Sequence, residues 1–244
     1  MISICEVTLK VLFKKDISAK ESLYRFSRLL NFSFSRKEEL CQMHQAREFK
    51  KYCFDNPYPL EPTKIYKENN IYSIRIRTID DKLFNYFWTE MPGFENDDFR
   101  IVAAYGDIVP QRPLESIRSI TPAIIKTESG YWENTQGVDF FLNALNGNML
   151  RKYEFFTGEK IERNKVFFFD ANLQEKPCTI LYKKALLFGN KLELLIKEDQ
   201  LSQNIAHLAL GVGICENNTA GTGFMEYQWV KRKRNNLEKA VIKC

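Results

Sequence analysis

Histidine is almost missing from this sequence: two occur in 244 residues, His44 and His207. Any proton transfer run by an imidazole near neutral pH therefore has only two candidates. The six cysteines, Cys5, Cys41, Cys53, Cys178, Cys215 and Cys244, include no C-x-x-C pair, and none clusters with a histidine. That spacing matches no zinc motif and gives no disulfide framework, so reduced, mostly buried thiols are expected, with no metal and no cofactor. Apolar runs stay far below the ~18 residues needed to span a bilayer, so no membrane partner is expected. The opening residues Met1-Ile2-Ser3-Ile4-Cys5-Glu6-Val7 put an acid where a signal peptide would carry its apolar stretch, and the expected location is cytoplasmic. Low-complexity sequence is limited to the short basic run Lys231-Arg232-Lys233-Arg234.

What is present is an ordinary globular composition. Apolar residues make up 44% of the chain, enough for one large core or two small ones. The formal charge is +5, from 36 basic and 31 acidic residues, which permits a polyanionic partner without specifying one.

Val7, Leu9, Val11 and Phe13 alternate with polar residues at the period of a half-buried strand. Ser18-Ala19-Lys20-Glu21 has capping-box spacing, and Leu23, Phe26 and Leu30 follow at helical intervals, which predicts a helix to about Asn31. A short strand at 52–54, an alternating strand over 71–79 with Arg75 and Arg77 between its isoleucines, a helix opened by Asp80-Asp81, and a strand over 99–109 complete the order β-α-β-β-α-β. This is the ferredoxin-like plan. The second half repeats it: a strand over 117–125, a helix over 138–153, a strand over 166–169, a hairpin or paired strands over 176–196 turning at Gly189-Asn190, a helix over 200–210 and a strand over 223–231. Pro110-Gln111-Arg112-Pro113 stiffens the junction. The expected architecture is α+β, with two tandem ferredoxin-like (RRM-like) domains side by side, 1–112 and 113–244.

Two features stand out for chemistry. The first is the loop from Gly211-Val212-Gly213 to Gly221-Thr222-Gly223-Phe224, four glycines in two pairs between a predicted helix and a predicted strand. Glycine leaves its backbone N–H uncovered, so Gly211, Gly213, Gly221 and Gly223 can wrap a phosphate; they can equally serve only the geometry of a tight turn. The spacing fits neither the dinucleotide fingerprint nor the P-loop. Lys231 and Arg232, one strand length away, add positive charge near the chain end.

The second is His44, set in Met43-His44-Gln45-Ala46-Arg47-Glu48-Phe49-Lys50-Lys51. The bases around it suit a phosphodiester and the charge that develops on it in a displacement, although a lone histidine also serves structure. His207 lies on a predicted helix with the apolar stripe Leu201, Ile205, Leu208 and Val212, and is expected to face away from the core. The acid pairs Asp80-Asp81 and Asp97-Asp98 read as a helix start and a solvated loop rather than as magnesium ligands.

His44 followed six residues later by Lys50, then Tyr52-Cys53-Phe54, Ile65-Tyr66 and the closing G-x-G…G-x-G-F, resembles the CRISPR repeat-processing endoribonucleases of the RAMP superfamily. The similarity spans most of the chain. It implies paired ferredoxin-like domains and cleavage of precursor CRISPR RNA within its repeats, the substrate's 2′-hydroxyl attacking the adjacent phosphate without a metal ion. Mature guide RNA would follow, with an interference complex as a further partner. The resemblance makes His44 the proton-transfer group and Lys50 its electrostatic support, with Lys51 open as an exchange for Lys50. It makes Lys51, the four glycines, Lys231 and Arg232 the RNA contacts. A tyrosine that some members place just upstream has no counterpart here, since Tyr24 stands inside the first predicted helix. A monomer or a homodimer is expected. A non-catalytic RAMP subunit that only grips guide RNA would share the fold and the glycine loop. An RRM-type binder would share the element order, but the RNP1 pattern is missing, and Phe167-Phe168-Phe169 reads as a buried strand.

Overall fold

The computed structural model describes residues 2–127, 131–132, 136–162, 167–174, 176–183 and 185–231. Its first half is built on strands β1 (Cys5–Phe13), β3 (Tyr52–Phe54), β5 (Ile71–Thr78) and β6 (Phe99–Ile108), hydrogen-bonded in the order β3-β5-β1-β6. All neighbours are antiparallel. Val7 pairs with Ile76 and Leu9 with Ile74, which puts the apolar positions of both strands on one face, under the helices. Thr8, paired with Arg75, and Glu6, paired with Arg77, face the opposite way.

Helix α1 (Ala19–Phe34) lays Leu23, Phe26, Leu30 and Phe34 onto the apolar face, all buried. It runs one turn past the expected Asn31. Ser18 is the N-cap, but its hydroxyl caps nothing, and Glu21 pairs forward with Arg25 at 3.0 Å; the predicted capping box is not formed. A second helix, α2 (Glu38–Gln45), follows where the sequence suggests only a connection, and it carries His44. Ile17–Ser18 (β2) and Ile65–Tyr66 (β4) form a small separate pair. Helix α3 (Asp81–Asn85), continued by a π turn over Tyr86–Glu90, starts as expected, with Asp80 accepting from the N–H groups of Lys82 and Leu83. Asp98, expected in a solvated loop, is buried and paired with Arg25 at 3.0 Å and Lys15 at 2.7 Å.

The second half repeats the architecture with β7 (Leu114–Ser119), α4 (Val138–Thr157), β8 (Phe169–Leu173), β11 (Leu192–Ile196), α5 (Gln200–Val212) and β12 (Met225–Trp229), in the sheet order β12-β7-β11-β8. In each half the strand order is second, third, first, fourth, the ferredoxin-like arrangement. Among the described residues, strands β9 (Cys178–Tyr182) and β10 (Ala185–Gly189) pair only with each other and form an inserted hairpin, with Tyr182 packed on Tyr24 of α1 at 5.3 Å. The predicted turn at Gly189-Asn190 is therefore not a hairpin turn: it passes from the insertion to the main sheet. Gly189 is required there because a Cβ would stand 2.7 Å from the Ala123 carbonyl. Val166 of the predicted strand lies outside the described residues, while Phe168 and Phe169 are buried.

Each half has its own apolar core, yet the two interlock. Ile4 and Val109 pack into the second core, and Ile124 and Ile180 into the first. Among the described residues no helix is long and apolar enough to cross a membrane.

Candidate functional site

The glycine loop sits at the seam between the halves. Gly213 ends α5, and its N–H is spent on Ala209; Ile214 donates to Gly223, Gly223 to the Pro122 carbonyl, and Gly221 to Asn218, each at 2.9–3.0 Å. The amides suggested for a phosphate cradle are thus committed inside the protein. Gly221, at φ +84°, lies where a Cβ would meet Leu23 and Phe54 of the first half at 2.6 Å. Gly223, at φ +69°, would drive a Cβ to 2.1 Å from the Ile214 carbonyl. Gly211, inside α5, has Ile79 at 2.6 Å from its Cβ position. All four glycines are buried, and what they achieve here is close approach of backbones.

The organiser of this loop is a residue the sequence reading passes over. Lys152 of α4 is buried, and its Nζ donates to the carbonyls of Gly213 (2.7 Å) and Cys215 (2.9 Å) and to Asn218 Oδ1 (2.7 Å). The Asn218 amide in turn donates to the carbonyls of Ile214 and Thr222. The signal was available: Lys152 falls on the stripe of Phe141, Leu145 and Met149, and a lone lysine on an apolar helix face needs buried acceptors.

His44 occupies the last turn of α2, half-buried, its ring 6.1 Å from that of Phe34. Its Nδ1 is buried and makes no hydrogen bond among the described residues. Lys50 folds back onto the same helix end, donating to Met43 O at 2.6 Å and Ala46 O at 2.5 Å, a cation on the negative pole of a helix. Among the described residues two of its three N–H groups are used and the third has no acceptor. Burial, and then the Lys50 charge, hold the His44 imidazole below its ordinary pKa. Burial likewise lowers Lys50. Lys51 points away and pairs with Asp80 at 2.7 Å, so of the two lysines it is Lys50 that the fold brings to His44.

His207 is half-buried rather than free in solvent. Its Nε2 lies 3.0 Å from the Arg112 carbonyl and its ring stacks on Trp229, fixing α5 to the linker, and burial lowers its pKa. Lys231 is exposed at the end of β12; Arg232 and the rest of the basic run lie outside the described residues. Among the described residues no three His, Cys, Asp or Glu side chains form a metal-ligating group.

The outer face of the first sheet meets β12 through arginines. Asp55 accepts from the backbone N–H and the Nε of Arg75, both at 2.7 Å, and Arg75 Nη1 reaches Glu226 at 2.8 Å. Arg77, fully buried, donates to Glu6 at 2.6 Å and to the Met225 carbonyl at 2.5 Å, with its guanidinium 4.5 Å from the Phe224 ring centroid. Beside this network a cleft of about 870 Å³ opens between the halves, its wall carrying Lys20, Lys64, Arg75 and Lys191.

Two four-stranded ferredoxin-like sheets joined at a glycine loop give this chain a tandem fold like that of a RAMP protein of known structure. A RAMP protein described as binding different RNA substrates superposes with a TM-score of 0.68 at 14% identity, over 92% of this chain and 99% of its own. More particularly, the fold is that of Cas6. The product of a Cas6-related gene from Pyrococcus furiosus gives 0.68 at 15% identity over 94% and 100% of the two chains, and a Cas6 product complex gives 0.63 at 17% over 93% and 100%. No family model and no curated protein matches the sequence.

Proposed function

We propose that this chain is a metal-independent endoribonuclease that cleaves precursor CRISPR RNA within its repeats. The observation that carries the reading is the pairing of His44 and Lys50 at one helix end, on a chain with the Cas6 fold. Held below its ordinary pKa, His44 is neutral at pH 7, the form that accepts a proton. Nε2 takes the proton of the 2′-hydroxyl; the 2′ oxygen bonds to phosphorus as the bond to the 5′ oxygen breaks. That leaving oxygen takes a proton from water, and the His44 imidazolium returns its own to solvent, giving a 2′,3′-cyclic phosphate and a 5′-hydroxyl. The third N–H of Lys50 faces the charge gathering on the phosphoryl oxygens. Lys20, Lys64 and Lys191 in the cleft suit an RNA backbone, as does exposed Lys231.

The test is cleavage of a repeat RNA in excess chelator. Wild type cuts; His44→Ala is slowed about 10²- to 10⁴-fold; an RNA with a 2′-deoxy sugar at the cut is inert. Unimpaired cutting by His44→Ala, or cutting of the deoxy RNA, refutes the mechanism. One observation favours a second reading, a non-catalytic guide-binding subunit: among the described residues no hydrogen bond orients the His44 ring, and both engaged N–H groups of Lys50 are held by backbone carbonyls. Tight binding across a panel of repeats with no cleavage would establish it.

A further inference from the structure

A few residues after His44 in the chain, the two halves of the molecule meet through a pair of phenylalanines that belong to neither core cluster. Phe49 directly precedes Lys50, and its ring centroid lies 5.7 Å from that of Phe155 on α4, edge to face at 75°. Phe155 remains 47% exposed, and Phe49 is half-buried. Burying apolar surface is the usual reason to place an aromatic ring, and here much of Phe155 is left in water. Exposed Arg47 lies two residues before Phe49, and exposed Arg151 one helical turn before Phe155; among the described residues neither makes an ion pair. An open ring flanked by free guanidiniums on both halves is the composition that single-stranded RNA recognition uses: a π-face for a base and cations for the neighbouring phosphates.

The chemistry proposed for His44 supplies the need. Displacement at phosphorus requires the 2′ oxygen, phosphorus and 5′ oxygen to fall in line, a near-attack geometry that a continuously stacked strand does not offer. The two bases at the cut must separate, and a base leaving its stack needs another surface. We propose that Phe155, braced by Phe49, is the stacking platform for a base adjoining the scissile phosphate, with Arg47 and Arg151 on its flanking phosphates. This rests on the reading of His44 given above. It makes the C-terminal half part of the site: α4 would hold the glycine loop through Lys152 and the substrate base through Phe155.

The experiment uses the full chain and a repeat RNA blocked by a 2′-deoxy sugar, with 2-aminopurine walked through it one position at a time. Binding to wild type should quench the probe at a position adjoining the cut. Phe155→Ala and Phe155→Leu, the latter keeping apolar bulk, should abolish that quench and weaken binding roughly 5- to 100-fold. Phe155→Trp should retain both. An abasic nucleotide at the same position should weaken wild type by a similar factor and Phe155→Ala hardly further. Additive losses, an unchanged quench in Phe155→Leu, or no RNA binding at all would overturn the platform. Quenching and coupling without any cleavage of the all-ribose RNA would instead sink the catalytic reading and leave the platform standing.

Discussion

Lys152 Nζ donates to the Gly213 carbonyl across 2.7 Å, placing a buried cation on the C-terminal end of α5. With Cys215 O and Asn218 Oδ1 as its other partners, all three N–H groups are used. The glycine loop is therefore held by a side chain from another helix as much as by its own geometry.

Lys152→Met keeps most of the stem but leaves two buried carbonyls and the half-buried Asn218 Oδ1 without their donor, and should cost about 2–3 kcal/mol in urea denaturation. The loss has a pH signature. Burial pushes Lys152 down to about 8, from 10.5. Between those values the unfolded chain binds more protons than the folded one, so the stability owed to Lys152 rises with pH across that window; below it the full cost of a buried cation is present. The gap in stability between wild type and Lys152→Met should widen from pH 8 towards pH 10. A constant gap would show that the ammonium is not buried as described.

Gly221→Ala and Gly223→Ala test whether the loop is a seam between the halves. Both positions have positive φ, and the added Cβ would strike Leu23 and Phe54 in the first case and the Ile214 carbonyl in the second. Each should destabilise by about 2 kcal/mol or more. Gly137→Ala, at negative φ with nothing within 4 Å of the new atom, should stay within about 0.5 kcal/mol of wild type. Equal melting curves for all three would refute the seam.

The sheets were legible because strand alternation and helix periodicity act over short stretches: Val7 to Phe13 and Leu23 to Leu30 declare their faces without help from distant residues. What stayed hidden depends on partners far along the chain. The glycine amides read as free because sequence does not reveal that the Pro122 carbonyl takes one of them. His207 has polar helical spacing, yet Arg112, 95 positions away, makes it an internal ligand. Helix α2 escaped because eight residues with a single buried side chain, Leu40, leave almost no apolar stripe. For the candidate site, the spacing of His44 and Lys50 was visible, but not that Lys50 would close a helix, nor that Phe155 would arrive from the other half.

Buried Asp55 and half-buried Arg75 form a pair whose loss should be non-additive. Asp55→Ala leaves a partly solvated guanidinium that keeps Glu226, and should cost about 1–3 kcal/mol. Adding Arg75→Leu removes that charge and should restore part of that loss. A double variant as unstable as the sum of the single losses would mean the two act separately.

The last prediction concerns His44. Its lowered pKa means that cleavage should rise with pH through an inflection below 6.5 and then level off, because the neutral imidazole is the active form. Lys50→Met removes a positive charge that favours that neutral form, so the inflection should move up, towards the ordinary histidine value. It should also lower the plateau, by about 10²- to 10³-fold if the ammonium stabilises the transition state. The two effects separate the roles of Lys50. A shifted inflection with an unchanged plateau would make it a positioning residue for His44 alone; a lowered plateau with no shift would place its charge on the phosphate and not on the imidazole. Single-turnover rates between pH 5 and 8.5, on one RNA and in chelator, give both numbers from one series.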